Sequence, residues 1–349
     1  MSTIEAPGAI NGKHFNNRSL INTLAPLTPY LNDPDTFELR VNKFGQLVCV
    51  TTRGRVFHDL PWLNKSYLER LTGTLLNANT LDPLPVNDLM LPDGSRVVIA
   101  WPPAVLEGTV LMAIRKHLPT EKSLDELRDE GRFRRLKIRT YADAIKLTEF
   151  ESEMIALRDQ ILHGDADPVE FLKRAVVAKL NIAVAGSTGS GKTTFTRSLM
   201  KYVPRNERVI ILQDTHEVGS ETLDEVGYLM YGEQEGRLSA RAALKTSMRL
   251  SPDRIFLTEL RDDAAWDYLT GANTGHKGNM FSTHSNSAGE TPTRIADLVK
   301  SSEIGRMLDY DAVLRTIHAT IDVILYMENW DVVELLYDPL FKKQSAARR

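Results

Sequence analysis

Between the apolar run Leu180–Ala185 and the stretch Thr193–Tyr202, which has no Gly or Pro, the chain carries Gly186-Ser-Thr-Gly-Ser-Gly-Lys192-Thr193. This is the pattern G-x-x-x-x-G-K-[ST] in the order strand, loop, helix, and in that context it constrains the fold more than any other feature of the chain. Glycines at 186, 189 and 191 let successive main-chain N–H groups crowd around a polyphosphate, where side chains would intrude. The helix that follows adds the positive end of its dipole. Gly186, Ser187, Thr188, Gly189, Ser190, Gly191, Lys192, Thr193 and Thr194 are therefore the candidate phosphate cradle. Lys192 is suited to the β and γ phosphates, and the Thr193 hydroxyl to a magnesium ion. The implied ligand is a nucleoside triphosphate with magnesium. A turn that merely joined strand to helix would not need Lys and Thr at these two places.

A chain of 349 residues suits two domains of ordinary size. Its formal net charge of −3 gives no global electrostatic reason for a nucleic-acid partner, so direct DNA binding is not expected. The one cysteine, Cys49, excludes an internal disulfide or a Cys-rich zinc site and fits a reducing compartment. The N-terminus lacks a basic region followed by an apolar stretch, and no apolar run approaches the ~18 residues of a membrane span. A cytoplasmic protein with no integral membrane segment is expected.

Residues 1–20 are polar and mixed and read as a flexible tail. Residues 21–131 read as a smaller α/β domain. Phe37 to Val56 suggests a hairpin around Asn42 and Gly45, and Leu63, Tyr67, Leu71 and Leu75 recur at helical spacing. The turn Pro92-Asp-Gly94 leads into a strand at Val97–Ala100, and Ser123 with Glu126 forms a capping box for a helix that Gly131 stops. Residues 132–150 read as a basic linker: Arg132 to Arg139 holds five basic residues and no acid. That run is either a solvated surface strand or a segment near phosphate. From 151 to 349, Asp167 and Pro168 open a helix that feeds the loop strand. Strands are then predicted at Arg208–Leu212, Arg254–Thr258, Asn279–Thr283, Ile321–Tyr326 and Val332–Tyr337. Strands interleaved with helices after a phosphate loop predict a RecA-like domain with a mostly parallel sheet and helices on both faces.

A phosphate loop binds triphosphate but needs carboxylates at neighbouring strand ends to handle magnesium and water. Gln213-Asp-Thr-His-Glu217 ends one apolar run and Glu259 ends another. Ser251-Pro-Asp-Arg-Ile-Phe-Leu-Thr-Glu259-Leu-Arg261, then Thr274-Gly-His276-Lys-Gly-Asn-Met-Phe-Ser-Thr-His284, resemble the Walker B and His boxes of bacterial secretion ATPases, and Asp214-Thr-His-Glu217 their Asp box. Within that superfamily the chain is most similar to the hexameric traffic ATPase of type IV secretion and conjugation systems, the eleventh VirB-type component. Asp33-Pro-Asp35 with Val41-Asn42, and Leu91-Pro-Asp-Gly-Ser-Arg96, extend the resemblance into the first domain. The chain departs from the family pattern at Gln213, where Glu is common, and at Lys277, where Pro is usual.

The resemblance implies a magnesium-dependent ATPase acting as a homohexamer with other secretion components at the bacterial inner membrane. It implies that Glu217 activates or orients the attacking water, that Glu259 supports magnesium through a water, and that His276 and His284 sense the γ phosphate. Arg249, Arg261, Arg115 and one of Arg134, Arg135 or Arg139 are the candidate cations for the leaving charge. A type II secretion or pilus motor, a nucleic-acid motor and a non-catalytic nucleotide-gated scaffold are the other readings. The first of these usually carries a four-cysteine zinc module, which one cysteine cannot build.

Overall fold

The computed structural model describes residues 18–116, 123–138, 140–273 and 275–347, and it divides into two compact units, 1–138 and 139–349. The tail expected to reach residue 20 lies outside the described residues as far as residue 17. From there the helix Arg18–Leu24 begins, because Leu20 and Leu24 fall one turn apart and bury against the same core.

In the first unit, β1 (Thr36–Val41), β2 (Gln46–Thr51), β3 (Gly54–Asp59), β4 (Val86–Met90), β5 (Arg96–Ala100) and β6 (Leu111–Arg115) form one antiparallel sheet in the order β3-β2-β1-β6-β5-β4. The expected hairpin is thus three strands, since the chain turns a second time at Thr52 and Arg53. The helix Lys65–Asn79 starts where the Asn64 side chain accepts the Tyr67 N–H at 3.0 Å. Leu68, Leu71 and Leu75 on its inner stripe are fully buried, each worth about 1.5–3 kcal/mol of transfer. The capping box is present: Glu126 N–H donates to the Ser123 hydroxyl and Ser123 N–H to the Glu126 carboxylate. The basic run after it forms exposed turns as far as Leu136 rather than a strand, and Arg139 lies outside the described residues. Crowded like charges with no partner strand among the described residues have nothing to hold them extended.

In the second unit, β7 (Ile182–Gly186), β8 (Arg208–Gln213), β9 (Glu225–Met230), β10 (Arg254–Leu257), β11 (Met280–Thr283), β12 (Val323–Glu328) and β13 (Asp331–Leu336) form a sheet in the order β13-β12-β7-β11-β10-β8-β9. Every pairing is parallel except β12 with β13. The mostly parallel sheet is as expected. β9 is not legible in the sequence, because Gly227 interrupts its apolar pattern and its first residue, Glu225, is fully buried 4.0 Å from Arg208. Asp167 caps the helix Pro168–Val177 by accepting the Val169 N–H at 2.9 Å. Phe171 and Val176 of that helix join Ile182, Val184, Val209, Ile211 and Phe256 in one apolar core.

The order β7-β11-β10-β8 brings four carboxyl strand ends side by side, and the sheet changes winding direction at β7, with β12 on its other flank. In doubly wound sheets this edge, at this point, is where ligands sit. The opposite edge is tied by asparagines. Asn181 donates to the Thr320 carbonyl at 2.9 Å and accepts the Asn279 N–H at 3.0 Å, while Asn279 accepts the Ile255 N–H at 2.9 Å.

Candidate functional site

β7 ends in the loop. Gly186 has φ +151°, and a Cβ there would run into the Met327 carbonyl and the Ser190 hydroxyl, so only glycine lets β12 stay paired beside it. Ser187, Thr188 and Gly189 are exposed, whereas Ser190 is buried and its hydroxyl donates to the Ser187 carbonyl at 2.9 Å. Gly191, left-handed at φ 91°, is the N-cap of the helix Lys192–Met200, and half-buried Thr193 and exposed Thr194 stand in the first turn. The Lys192 ammonium donates to the carbonyls of Gly186 at 2.9 Å and Ser187 at 2.7 Å, which holds it over the loop. Burial lowers its pKa, and the charge of Glu259 opposes that shift.

Glu259 lies two residues beyond β10. It accepts from Arg261 at 3.0 Å and faces His284 Nε2 at 3.2 Å, while His284 Nδ1 lies 3.2 Å from the Gly186 carbonyl. Arg261 also donates to Asp214 at 2.7 Å and rests over the Tyr231 ring at 5.8 Å. Burial works to lower the Arg261 pKa, but the hydrogen bond to Glu259 and the charges around it outweigh that and raise it. Lys192, Gly186, His284, Glu259, Arg261 and Asp214 are thus one continuous chain of contacts across the ends of β7, β11, β10 and β8. A magnesium triphosphate fits what these residues present: a cradle that a Cβ would fill, an ammonium over it, a threonine in the first helical turn and a carboxylate within Coulombic reach of Lys192.

Other expected residues fall elsewhere. Glu217 is exposed and stands outside this chain of contacts. It lines a cavity of about 660 Å³ that runs beside the loop helix with Arg197, Lys201 and Tyr228. His276 precedes β11, and its carbonyl accepts from Asn279 at 2.9 Å, at the asparagine edge of the sheet. The four residues of β11 alone span about 13 Å, so His276 cannot reach the loop of its own unit, and the expectation that it senses phosphate there is corrected. Arg249 is corrected for the same reason. It ends the helix Ala240–Arg249 beside Leu250, whose carbonyl accepts from Arg208 at the start of β8. Helices of parallel sheets run back to the amino ends of the strands, and a linear sequence does not display that reversal. Arg115 closes β6 and Arg135 lies in the exposed turns after Gly131, both within the first unit. Arg261, expected to meet phosphate directly, spans two acids instead.

Two contributors escape sequence reading. Arg237 donates to the carbonyls of Asp214 and Tyr231 and braces the strand end from the next loop. Gln213 is fully buried. Its carbonyl accepts the N–H groups of Glu217 at 3.1 Å and Val218 at 3.0 Å, and its amide nitrogen reaches the Val218 carbonyl at 3.3 Å and His216 Nδ1 at 2.9 Å. A glutamate could accept the same two N–H groups but could not, when ionised, donate to the carbonyl. The departure from Glu at this position is therefore a substitution that the turn around Glu217 uses. Gln213→Leu leaves buried main-chain groups without partners at about 1–3 kcal/mol each, and differential scanning calorimetry is expected to show Tm lowered by about 5–10 °C.

The family model described as Type II/IV secretion system protein matches residues 140–327. The type IV secretion system protein VirB11 of Brucella suis is 32% identical over 92% of this chain and 90% of its own length. VirB11 of Bartonella quintana is 30% identical over 93% of this chain and 94% of its own. The crystal structure of the VirB11 ATPase from the Brucella suis type IV secretion system, in complex with sulphate, matches at a TM-score of 0.84 and 32% identity, covering 93% of this chain and 99% of that one. The loop, the acids beside it and this similarity across nearly the whole length agree, and the chain belongs to the VirB11 family of type IV secretion ATPases.

Proposed function

We propose that this chain hydrolyses ATP with magnesium as a ring of six copies beside the cytoplasmic face of the bacterial inner membrane. The ring powers assembly of a type IV secretion machine or transfer of substrate through it. The observation that carries the chemistry is the unbroken contact chain from Lys192 through Gly186, His284 and Glu259 to Arg261 and Asp214. Among the described residues no helix is long and apolar enough to cross a membrane, which suits peripheral association.

In this reading the main-chain N–H groups of residues 187–193 and the Lys192 ammonium hold the phosphates. Thr193 would hold a magnesium ion, with Glu259 supporting it through a water, and the ion would supply charge neutralisation at the phosphates. Glu259 suits support rather than proton abstraction, because the Arg261 guanidinium and the His284 ring engage one oxygen each and hold it as a carboxylate, with lone pairs left to accept from a bound water. Glu217 suits the attacking water: among the described residues its carboxylate makes no hydrogen bond or ion pair, so it is available to accept a proton. His284 touches both the loop and Glu259 and so couples the state of the phosphates to the acids. Arg115 and Arg135 are the proposed further cations, supplied by the first domain or a neighbouring copy.

Purified protein is expected to release phosphate from ATP with magnesium and to stop when the metal is chelated. Sedimentation at micromolar concentration with a non-hydrolysable ATP analogue is expected to give six times the chain mass. A strict monomer would remove the ring, and absence of phosphate release would remove the ATPase.

A further inference from the structure

Resting on the nucleotide reading above, we propose that Trp330 is the platform on which the purine base stacks. The acids and Arg261 stand on the β11, β10 and β8 side of β7. A triphosphate whose terminal phosphate faces them has to carry its nucleoside away from that side. On the other flank is β12, which runs parallel to β7 with Met327 paired to Gly186. Three residues later, at the tip of the hairpin into β13, stands Trp330.

Three observations place this ring for a ligand rather than for the core. First, it lies against the loop itself: a Cβ built on Gly191 would sit 2.9 Å from Cε3 and 3.3 Å from Cδ2 of the indole. The ring therefore abuts the main chain at the point where the loop becomes helix, next to the N–H groups that hold phosphate. Second, the rest of the indole is open. Trp330 is 66% exposed, although a large apolar ring at a turn gains nothing from water. Third, the backbone is held in a conformation that favours other residues. Asn329 has φ 49° and Trp330 φ 72°, consecutive left-handed residues of the kind that tight hairpins usually build with Asn-Gly. A tryptophan at the glycine place bears that strain, and the pairing of β12 with β7 as far as Gly186 keeps the hairpin tip that carries it beside the loop.

A flat indole beside a phosphate cradle offers a π-face to any base, since stacking does not read the base's hydrogen-bonding edge. ATP and GTP affinities should then depend on Trp330 alike, and a ligand with phosphates but no base should not depend on it at all. The test compares wild type, Trp330→Ala and Trp330→Phe by calorimetric titration with magnesium ATP, magnesium GTP and magnesium tripolyphosphate, with thermal melting of each variant as the check on folding.

Trp330→Ala is expected to weaken ATP and GTP by roughly 5- to 100-fold and to leave tripolyphosphate within twofold, and Trp330→Phe to recover most of the loss. Equal weakening of all three ligands, with Phe recovering them equally, would mean that the ring only buttresses Gly191 and would overturn the proposal. Unchanged ATP affinity in Trp330→Ala would overturn it as well. Wild type that binds none of the three ligands would instead bring down the nucleotide reading, and the stacking platform with it.

Discussion

Lys192→Ala lowers phosphate release by at least about 100-fold, the range seen when one preorganised group that meets developing charge is removed, and it weakens magnesium ATP markedly. The Lys192 ammonium is held over the cradle by the Gly186 and Ser187 carbonyls, with the charge of Glu259 acting on it. Alanine cannot replace a cation that both grips the β and γ phosphates and draws off charge as the bond breaks. The fold loses two hydrogen bonds from the ammonium to loop carbonyls, at about 1 kcal/mol each, so melting temperature should move by only a few degrees. Phosphate release and calorimetric binding, measured on the same preparations, check this. Hydrolysis that survived the substitution would show that the activity came from elsewhere.

Glu217→Gln separates binding from chemistry. Hydrolysis falls by about 10²–10⁴, the usual contribution of a general base, while magnesium ATP binds within a few-fold of wild type. Gln keeps the shape, and the turn keeps its geometry because Gln213 holds it through the Glu217 and Val218 main-chain N–H groups rather than through the Glu217 carboxylate. Single-turnover hydrolysis beside equilibrium binding gives the measurement. A variant that hydrolysed as wild type would transfer the role to Glu259, the other acid at a strand end beside the loop.

The contrast between these acids shows where sequence reading stops. Both follow apolar runs, and their chain positions alone suggest a strand end for each. That Glu259 meets His284 while Glu217 lies beside the flank of the loop helix depends on β11 inserting between β7 and β10, a crossover that local pattern does not encode. The two histidines show it as well. Eight residues apart in sequence, His276 and His284 look like a pair, yet β11 runs between them and delivers them to opposite edges of the sheet.

What the residue order determined by itself was local and steric: a loop that needs glycines to crowd its N–H groups, helix starts at Asp167 and Ser123 set by capping oxygens, and apolar runs that must become buried parallel strands. Tertiary structure alone decided which of those pieces became neighbours. Gln213 acquired its work from a buried turn, Arg261 from two acids that approach from different strands, and Trp330 from a hairpin folded back onto Gly191. The physical reason is that capping and turn geometry act over a few residues, whereas strand order is chosen by the burial of whole faces, which sums contributions from segments more than a hundred residues apart.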